Sequence, residues 1–353
     1  MTIKINKLLI AAFMVVLIFI YGCSTGKNDT KKSVEEVRTG TEGISVNFLP
    51  NNPPDIVHVE QNSENKFDVV FELRNKGAYP QPEEGSSPKG NLFLSGYDPN
   101  IIEFNVKEPK SSEAKKVDLS KVALEGKSSI NPNGGQDIVS FEGTIEYQKL
   151  NVQKYEPILL ATACYNYETV AGPVVCIDPD PYSTLKEKKV CQVQDTSLSS
   201  QGAPIAVTKI EEEAFAAKTQ FKITVKNVGN GDAIKSDQYG KCDPLGSTGK
   251  LEREDIDKVN LEKVIIRNKK LACGPFAENT NPNTKTDSGF IRLINGEGFV
   301  ICELKKEDYV ENGANLGKIS AFTTPLTITL SYTYRTTTQR SVQIQKETGA
   351  SIS

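Results

Sequence analysis

Residues able to do chemistry are few in this 353-residue chain, and their surroundings limit what they can do. Its single histidine, His58, sits in Pro54-Asp-Ile-Val-His-Val-Glu60. A Ser-His-Asp hydrolase would need it as the base. On a strand, however, Ile56, His58 and Glu60 share one face and Val57 and Val59 the other, so His58 is expected to be a solvated strand residue. Seven cysteines are present. Cys23 stands apart, leaving Cys164, Cys176, Cys191, Cys242, Cys273 and Cys302. In an exported chain an even set points to disulfides, and paired cysteines have no thiol chemistry. Zinc is the competing reading, but there is no Cys-x-x-Cys and no second histidine. Among the carboxylates, Glu211-Glu212-Glu213 reads as a solvated run beside a turn. Asp178 and Asp180, in Cys176-Ile-Asp-Pro-Asp-Pro-Tyr182, are weak calcium candidates, because clustered oxygens between β-domains can hold that ion. The competing reading is a connector kept extended by two X-Pro units. No glycine-rich segment follows a strand and opens a helix, so no phosphate cradle is expected. No catalytic residue, no resident metal and no cofactor are assigned, and the chain is read as not an enzyme.

These residues must be positioned by a repeated unit. Val69–Gly77 (VVFELRNKG) and Phe221–Gly229 (FKITVKNVG) match at an offset of 152. Val69, Phe71 and Leu73 alternate onto one face, as do Phe221, Ile223 and Val225, and each strand runs into Asn-x-Gly, a turn signal that admits φ > 0. Residues 159–177 (LLATACYNYETVAGPVVCI) match 326–344 (LTITLSYTYRTTTQRSVQI) at an offset of 167, with Tyr165 and Tyr167 falling on Tyr332 and Tyr334. Each of these reads as a strand, a short turn and a returning strand. Short strands, Gly and Pro turns and the lack of crossover helices predict an all-β chain of two tandem immunoglobulin-like β-sandwich domains, at 44–181 and 189–346, joined by a linker at 182–188.

The repeat also suggests cysteine pairs. Cys164 and Cys176 fall on Ser331 and Gln343, so both are missing from the second copy, and they lie symmetrically about Val170. A Cys164–Cys176 bond across a hairpin is therefore expected. Cys273–Cys302 is favoured between two strand-like segments, and Cys191–Cys242 follows by elimination among three possible pairings. Residues 106–133 and 241–258 are polar and read as excursions between strands, where binding residues could sit as easily as solvated insertions.

The N-terminus has Lys4 and Lys7, an apolar run from Leu8 to Tyr21, then Gly22-Cys23. This is signal-peptide anatomy over 1–22, short of the ~20 apolar residues a spanning helix needs. Residues 23–43 are polar and mixed in charge, with Val34 and Val37 as the large apolar residues, and read as a flexible tether. Residues 347–353 read as a disordered tail.

Ile20-Tyr21-Gly22-Cys23 resembles the lipobox of bacterial-type and archaeal lipoproteins, which implies lipidation of Cys23 and attachment to the outer side of the cell membrane. Tyr21 departs from the small or hydroxyl residue that pattern prefers, and an uncleaved signal anchor is the competing reading. Phe221–Ala233 resembles the opening strand of CARDB-type cell-adhesion-related modules, with a weaker echo at 69–78. The layout is also similar to uncharacterised two-domain exported archaeal proteins, a likeness that implies fold and location and no activity. With a net charge of −3 and no basic block, nucleic acid is not expected as a partner. The functional expectation is contact with another surface or envelope protein or glycan, for adhesion, envelope organisation or docking. Capture of a solute or substrate for a transporter or exported enzyme is the alternative.

Overall fold

The computed structural model describes residues 37–81, 87–110, 115–183, 189–244, 246, 249–279, 281, 283–309 and 320–347. The signal segment 1–22, Cys23, the tether up to residue 36, residues 184–188 of the connector and the tail after Glu347 lie outside the described residues. Among the described residues no helix is long and apolar enough to cross a membrane.

The chain is all-β. The first repeat supplies β1 (Ile44–Phe48), β2 (Ile56–Val59), β3 (Asn65–Asn75), β4 (Gly90–Ser95) and β5 (Ile102–Glu108). It continues with β6 (Lys116–Asp118), β7 (Gln136–Ile145), β8 (Lys154–Tyr155), β9 (Ile158–Ala171) and β10 (Val174–Ile177). The second repeat supplies β11 (Thr196–Ser197), β12 (Ile205–Ala214), β13 (Lys218–Asn227), β14 (Asp232–Ile234), β15 (Lys258–Ile266) and β16 (Lys269–Lys270). It ends with β17 (Ala272–Gly274), β18 (Gly289–Arg292), β19 (Glu297–Lys305), β20 (Phe322–Ser341) and β21 (Gln343–Lys346).

Each repeat has an outer sheet of its own, ordered β1-β3-β7-β5 in the first and β11-β12-β13-β19-β17 in the second. Both repeats contribute to two further sheets, a small one ordered β2-β21-β8 and a large shared one whose main path is β16-β15-β20-β9-β4-β6, so the copies are fused through hydrogen-bonded strands and not only through their connector. The alternation read from sequence sets the packing: Val69, Phe71 and Leu73, like Phe221, Ile223 and Val225, are fully buried in one continuous core. Their partners on the shared sheet include Leu159, Ala161, Ala163, Leu326, Ile328 and Leu330. Each large apolar side chain buried this way stabilises the fold by about 1.5–3 kcal/mol.

The two 19-residue matches do not fold back as hairpins. β10 pairs with the start of β20, Val174 opposite Pro325 and Ile177 opposite Phe322. β21 pairs antiparallel with β8, Ile344 opposite Tyr155, and parallel with β2. Pro157 and Pro173 explain the interruptions. Neither has an N–H to donate, yet their carbonyls accept from Val342 and Leu326 at 3.1 and 2.8 Å, so the ladder breaks without reversing. One register therefore runs from Lys154 opposite Gln345 to Ile177 opposite Phe322. Asn166 lies opposite Thr333, which is also its match in the repeat. A half-turn about that pair superposes the ladder on itself.

The tether ends earlier than position 43. Val37 is buried, Gly40 N donates to Ser200 Oγ at 3.0 Å, and Glu42 pairs with Lys76 at 3.0 Å. Residues 38–43 are thus part of the folded unit.

Candidate functional site

Four tyrosines stand on the inner face beside the half-turn axis: Tyr165 and Tyr167 from β9, Tyr332 and Tyr334 from β20, all buried. Their hydroxyls repeat one pattern. Ile44 N donates to Tyr165 Oη at 2.8 Å, and Ile205 N to Tyr332 Oη at 3.4 Å. Tyr167 Oη donates to Asn75 Oδ1 at 3.0 Å, and Tyr334 Oη to Asn227 Oδ1 at 3.2 Å. Desolvation pushes the Tyr165, Tyr167 and Tyr332 phenols well above their ordinary range and raises Tyr334 to about 12, so all four remain protonated and neutral. The layer is structural.

It also gives the Asn-x-Gly signature a different meaning. Gly77 and Gly229 do not have positive φ. A Cβ on Gly77 would stand 2.0 Å from Tyr167 Oη, and one on Gly229 2.4 Å from Tyr334 Oη. Glycine is required for close approach, and the asparagine holds the turn through its side chain: Asn75 Nδ2 donates to Tyr79 O at 2.7 Å and Asn227 Nδ2 to Gly231 O at 2.8 Å.

The cysteines pair otherwise than expected for four of the six. Cys164 bonds Cys242 and Cys176 bonds Cys191, in place of Cys164–Cys176 and Cys191–Cys242, while Cys273 bonds Cys302. The reason is the straight course of β9 and β10: with no hairpin at Val170, Cys164 and Cys176 are never brought opposite each other. Cys164 instead points to the outer face of the shared sheet. There it forms a small second core with Phe93, Ile234 and Cys242. The loop carrying Cys242 caps the axis, with Asn166 Nδ2 donating to Asp237 Oδ1 at 2.5 Å and Gln238 N to Thr333 Oγ1 at 3.2 Å. The beginning of the 241–258 stretch is therefore docked on the first repeat. The 106–133 stretch is likewise not a polar excursion, since it buries Val117, Leu119, Val122 and Leu124.

His58 is an exposed strand residue and its Nδ1 lies 2.6 Å from Glu347 Oε1. Asp178 Oδ2 accepts from Lys189 Nζ at 2.5 Å, and its Oδ1 accepts from Asp180 N at 3.1 Å, so a lysine occupies the carboxylate read as a calcium candidate. Among the described residues no three His, Cys, Asp or Glu side chains gather closely enough to hold a metal.

Glu212 departs from the solvated run. Glu211 is ion-paired with Lys222 at 2.7 Å and Lys209 at 3.1 Å, whereas Glu212 is only 6% exposed. A bulge between Val207 and Lys209 shifts the phase of β12, turning Ile210 and Glu212 inward after Ile205 and Val207. The phase break was visible in the apolar spacing. Glu212 Oε2 accepts from Cys176 N at 3.3 Å, and Oε1 has no partner. Desolvation raises its pKa to about 7, against the opposing effect of the Cys176 N–H. An acid with a raised folded-state pKa binds more protons folded than unfolded, so stability falls as pH rises from about 4.5 through about 7. Glu212→Gln is expected to remove that slope and to stabilise the protein by roughly 1–3 kcal/mol at pH 8 while changing little at pH 4. Thermal melts across that range check it; equal slopes in both proteins would refute the assignment.

An open groove of about 610 Å³ lies between the β9–β10 junction and β11. Its walls are Val170–Val174 on one side and Thr196–Gln201 on the other, with Arg38 as the charged lining residue. The volume lies inside the ~300–1,000 Å³ of ordinary ligand sites. Sequence reading missed it because both walls are backbone edges brought together by pairing between distant strands.

No family model matches this chain, and no curated protein does. Three solved structures show weak likeness. They are the secreted serine protease VesC from Vibrio cholerae (8% identity, TM-score 0.17, 82% of this chain and 50% of that one), the CupB6 tip adhesin from Pseudomonas aeruginosa (9%, 0.18, 87% and 98%), and the collagen binding domain of Erysipelothrix rhusiopathiae surface protein RspB (9%, 0.11, 86% and 97%). This chain spans about half the length of the protease. Likeness at these TM-scores carries no argument about what the chain does.

Proposed function

We propose that this chain is a surface-anchored lipoprotein that acts by contact, docking another surface or envelope protein, without catalysis. The observation that carries this reading is the groove: strand edges and small hydroxyl side chains line it, with one cation, and no pair of titratable groups converges on it. The three disulfides fit an oxidising, extracytoplasmic compartment. Lipid on Cys23 would keep the folded unit at the membrane face, on a tether that ends at residue 37 and so is shorter than composition implied.

Cross-linking intact cells and purifying this protein is expected to bring down a defined surface partner, while Cys23→Ser releases the protein from the membrane fraction. Membrane residence unchanged by Cys23→Ser would replace the lipid anchor with an uncleaved signal anchor. Absence of any cross-linked partner would overturn the contact reading.

A further inference from the structure

Both walls of the groove are unfinished sheet. Pro173 O accepts from Leu326 N, so the odd-numbered residues of this stretch direct their backbone to β20 and Val170 directs its own N–H and C=O away. No described strand meets it there, because the β4 ladder stops at Tyr165. Across the groove, Leu198 N donates to Thr208 O at 2.9 Å, so Ser197 turns its backbone groups away from β12. β11 is the edge strand of its sheet. Unpaired edges of this kind template an added strand. The side chains leave room for one: Gly172 has none, and Ser197, Ser199 and Ser200 are small. Arg38 lines the same groove, half-buried, and among the described residues no carboxylate pairs with it.

We infer that this groove binds an extended polypeptide segment of a partner protein, which adds as a strand to the Ser197 edge and sets an acidic group against Arg38. The inference rests on the contact reading and names the site and the chemistry of what it grips. Main-chain bonds to the edge supply affinity with little demand on side-chain identity. The charge-assisted bond to Arg38 fixes polarity and register.

The test selects random decapeptides displayed on phage against the full-length protein, with counter-selection on Gly172→Tyr. Gly172 lines the groove and a Cβ there meets nothing within 4 Å, so the fold accommodates a tyrosine at the groove wall. Gly240→Tyr, at another glycine with open space, is the control. Expected are acidic peptides that bind the wild type and Gly240→Tyr equally. They lose about tenfold in affinity on Arg38→Gln and more on Gly172→Tyr or when their alternate amides are N-methylated. Failure to enrich any peptide that prefers the wild type over Gly172→Tyr would overturn the inference. So would binding indifferent to N-methylation, or a dimer of this chain that Gly172→Tyr dissolves. If the cross-linked partner is still captured by Gly172→Tyr, the groove assignment falls while the contact reading stands. If the wild type captures none, the contact reading falls whatever the peptides do.

Discussion

Asn75→Ala is expected to destabilise the protein by roughly 3–5 kcal/mol, the largest effect of any single polar substitution considered. The side chain is fully buried and makes four bonds: Nδ2 donates to Tyr79 O and Leu124 O at 2.7 and 2.9 Å, and Oδ1 accepts from Gly77 N and Tyr167 Oη at 3.1 and 3.0 Å. Alanine leaves each of those partners desolvated and unpaired, which costs more than the bonds themselves stabilise. Its counterpart Asn227 is half-buried and has three such bonds, to Gly231 O, Gly229 N and Tyr334 Oη. Asn227→Ala should therefore cost about half as much, since water can reach the orphaned groups. Chemical denaturation of both variants checks the ranking, and equal costs would refute it. Adding Tyr167→Phe to Asn75→Ala should cost less than the sum of the two, because the hydroxyl has already lost its acceptor.

Removing the Cys164–Cys242 bond with paired alanines should be the second large loss. The bond closes 78 residues and ties β9 of the first repeat to the loop that follows β14 in the second. Loop-closure entropy gives about 4.5 kcal/mol as an upper figure, and a melting-temperature drop of roughly 7 °C for a unit of this size. Locally, the 235–251 loop should lose its dock against Phe93 and become open to protease at Lys250. A clipped loop with an unchanged melting temperature would mean the bond only fastens a surface flap. Removing Cys176–Cys191, which closes 15 residues, should cost less.

How far the fold could be read from sequence depended on the range of the interaction. Period-two alternation is local, so Val69, Phe71 and Leu73 and their counterparts in the second repeat could be assigned to a buried face directly. The matched tyrosines showed duplication, but not that β9 and β20 would lie side by side. Register between strands so far apart leaves no local mark, and the hairpin inferred in its place also misled the cysteine pairing. Glu212 escaped notice because acidic runs are ordinarily solvated, although the spacing of Ile205, Val207 and Ile210 already showed a change of phase. The groove was wholly illegible, being made of backbone edges with unremarkable side chains.

The shared ladder has a consequence for how the chain is made. Ribosomal synthesis runs from the N-terminus, so β9 is finished long before its partner β20 exists, and its edge stands open through the whole interval. Cys164 waits likewise for Cys242, while Cys176 and Cys191 follow it within a short stretch. The earliest partner Cys164 meets is a wrong one, the same one that local sequence logic suggested. Oxidative refolding of the reduced chain in a thiol–disulfide redox buffer, which lets Cys164–Cys176 reshuffle, is therefore expected to recover more native protein than oxidation without free thiol.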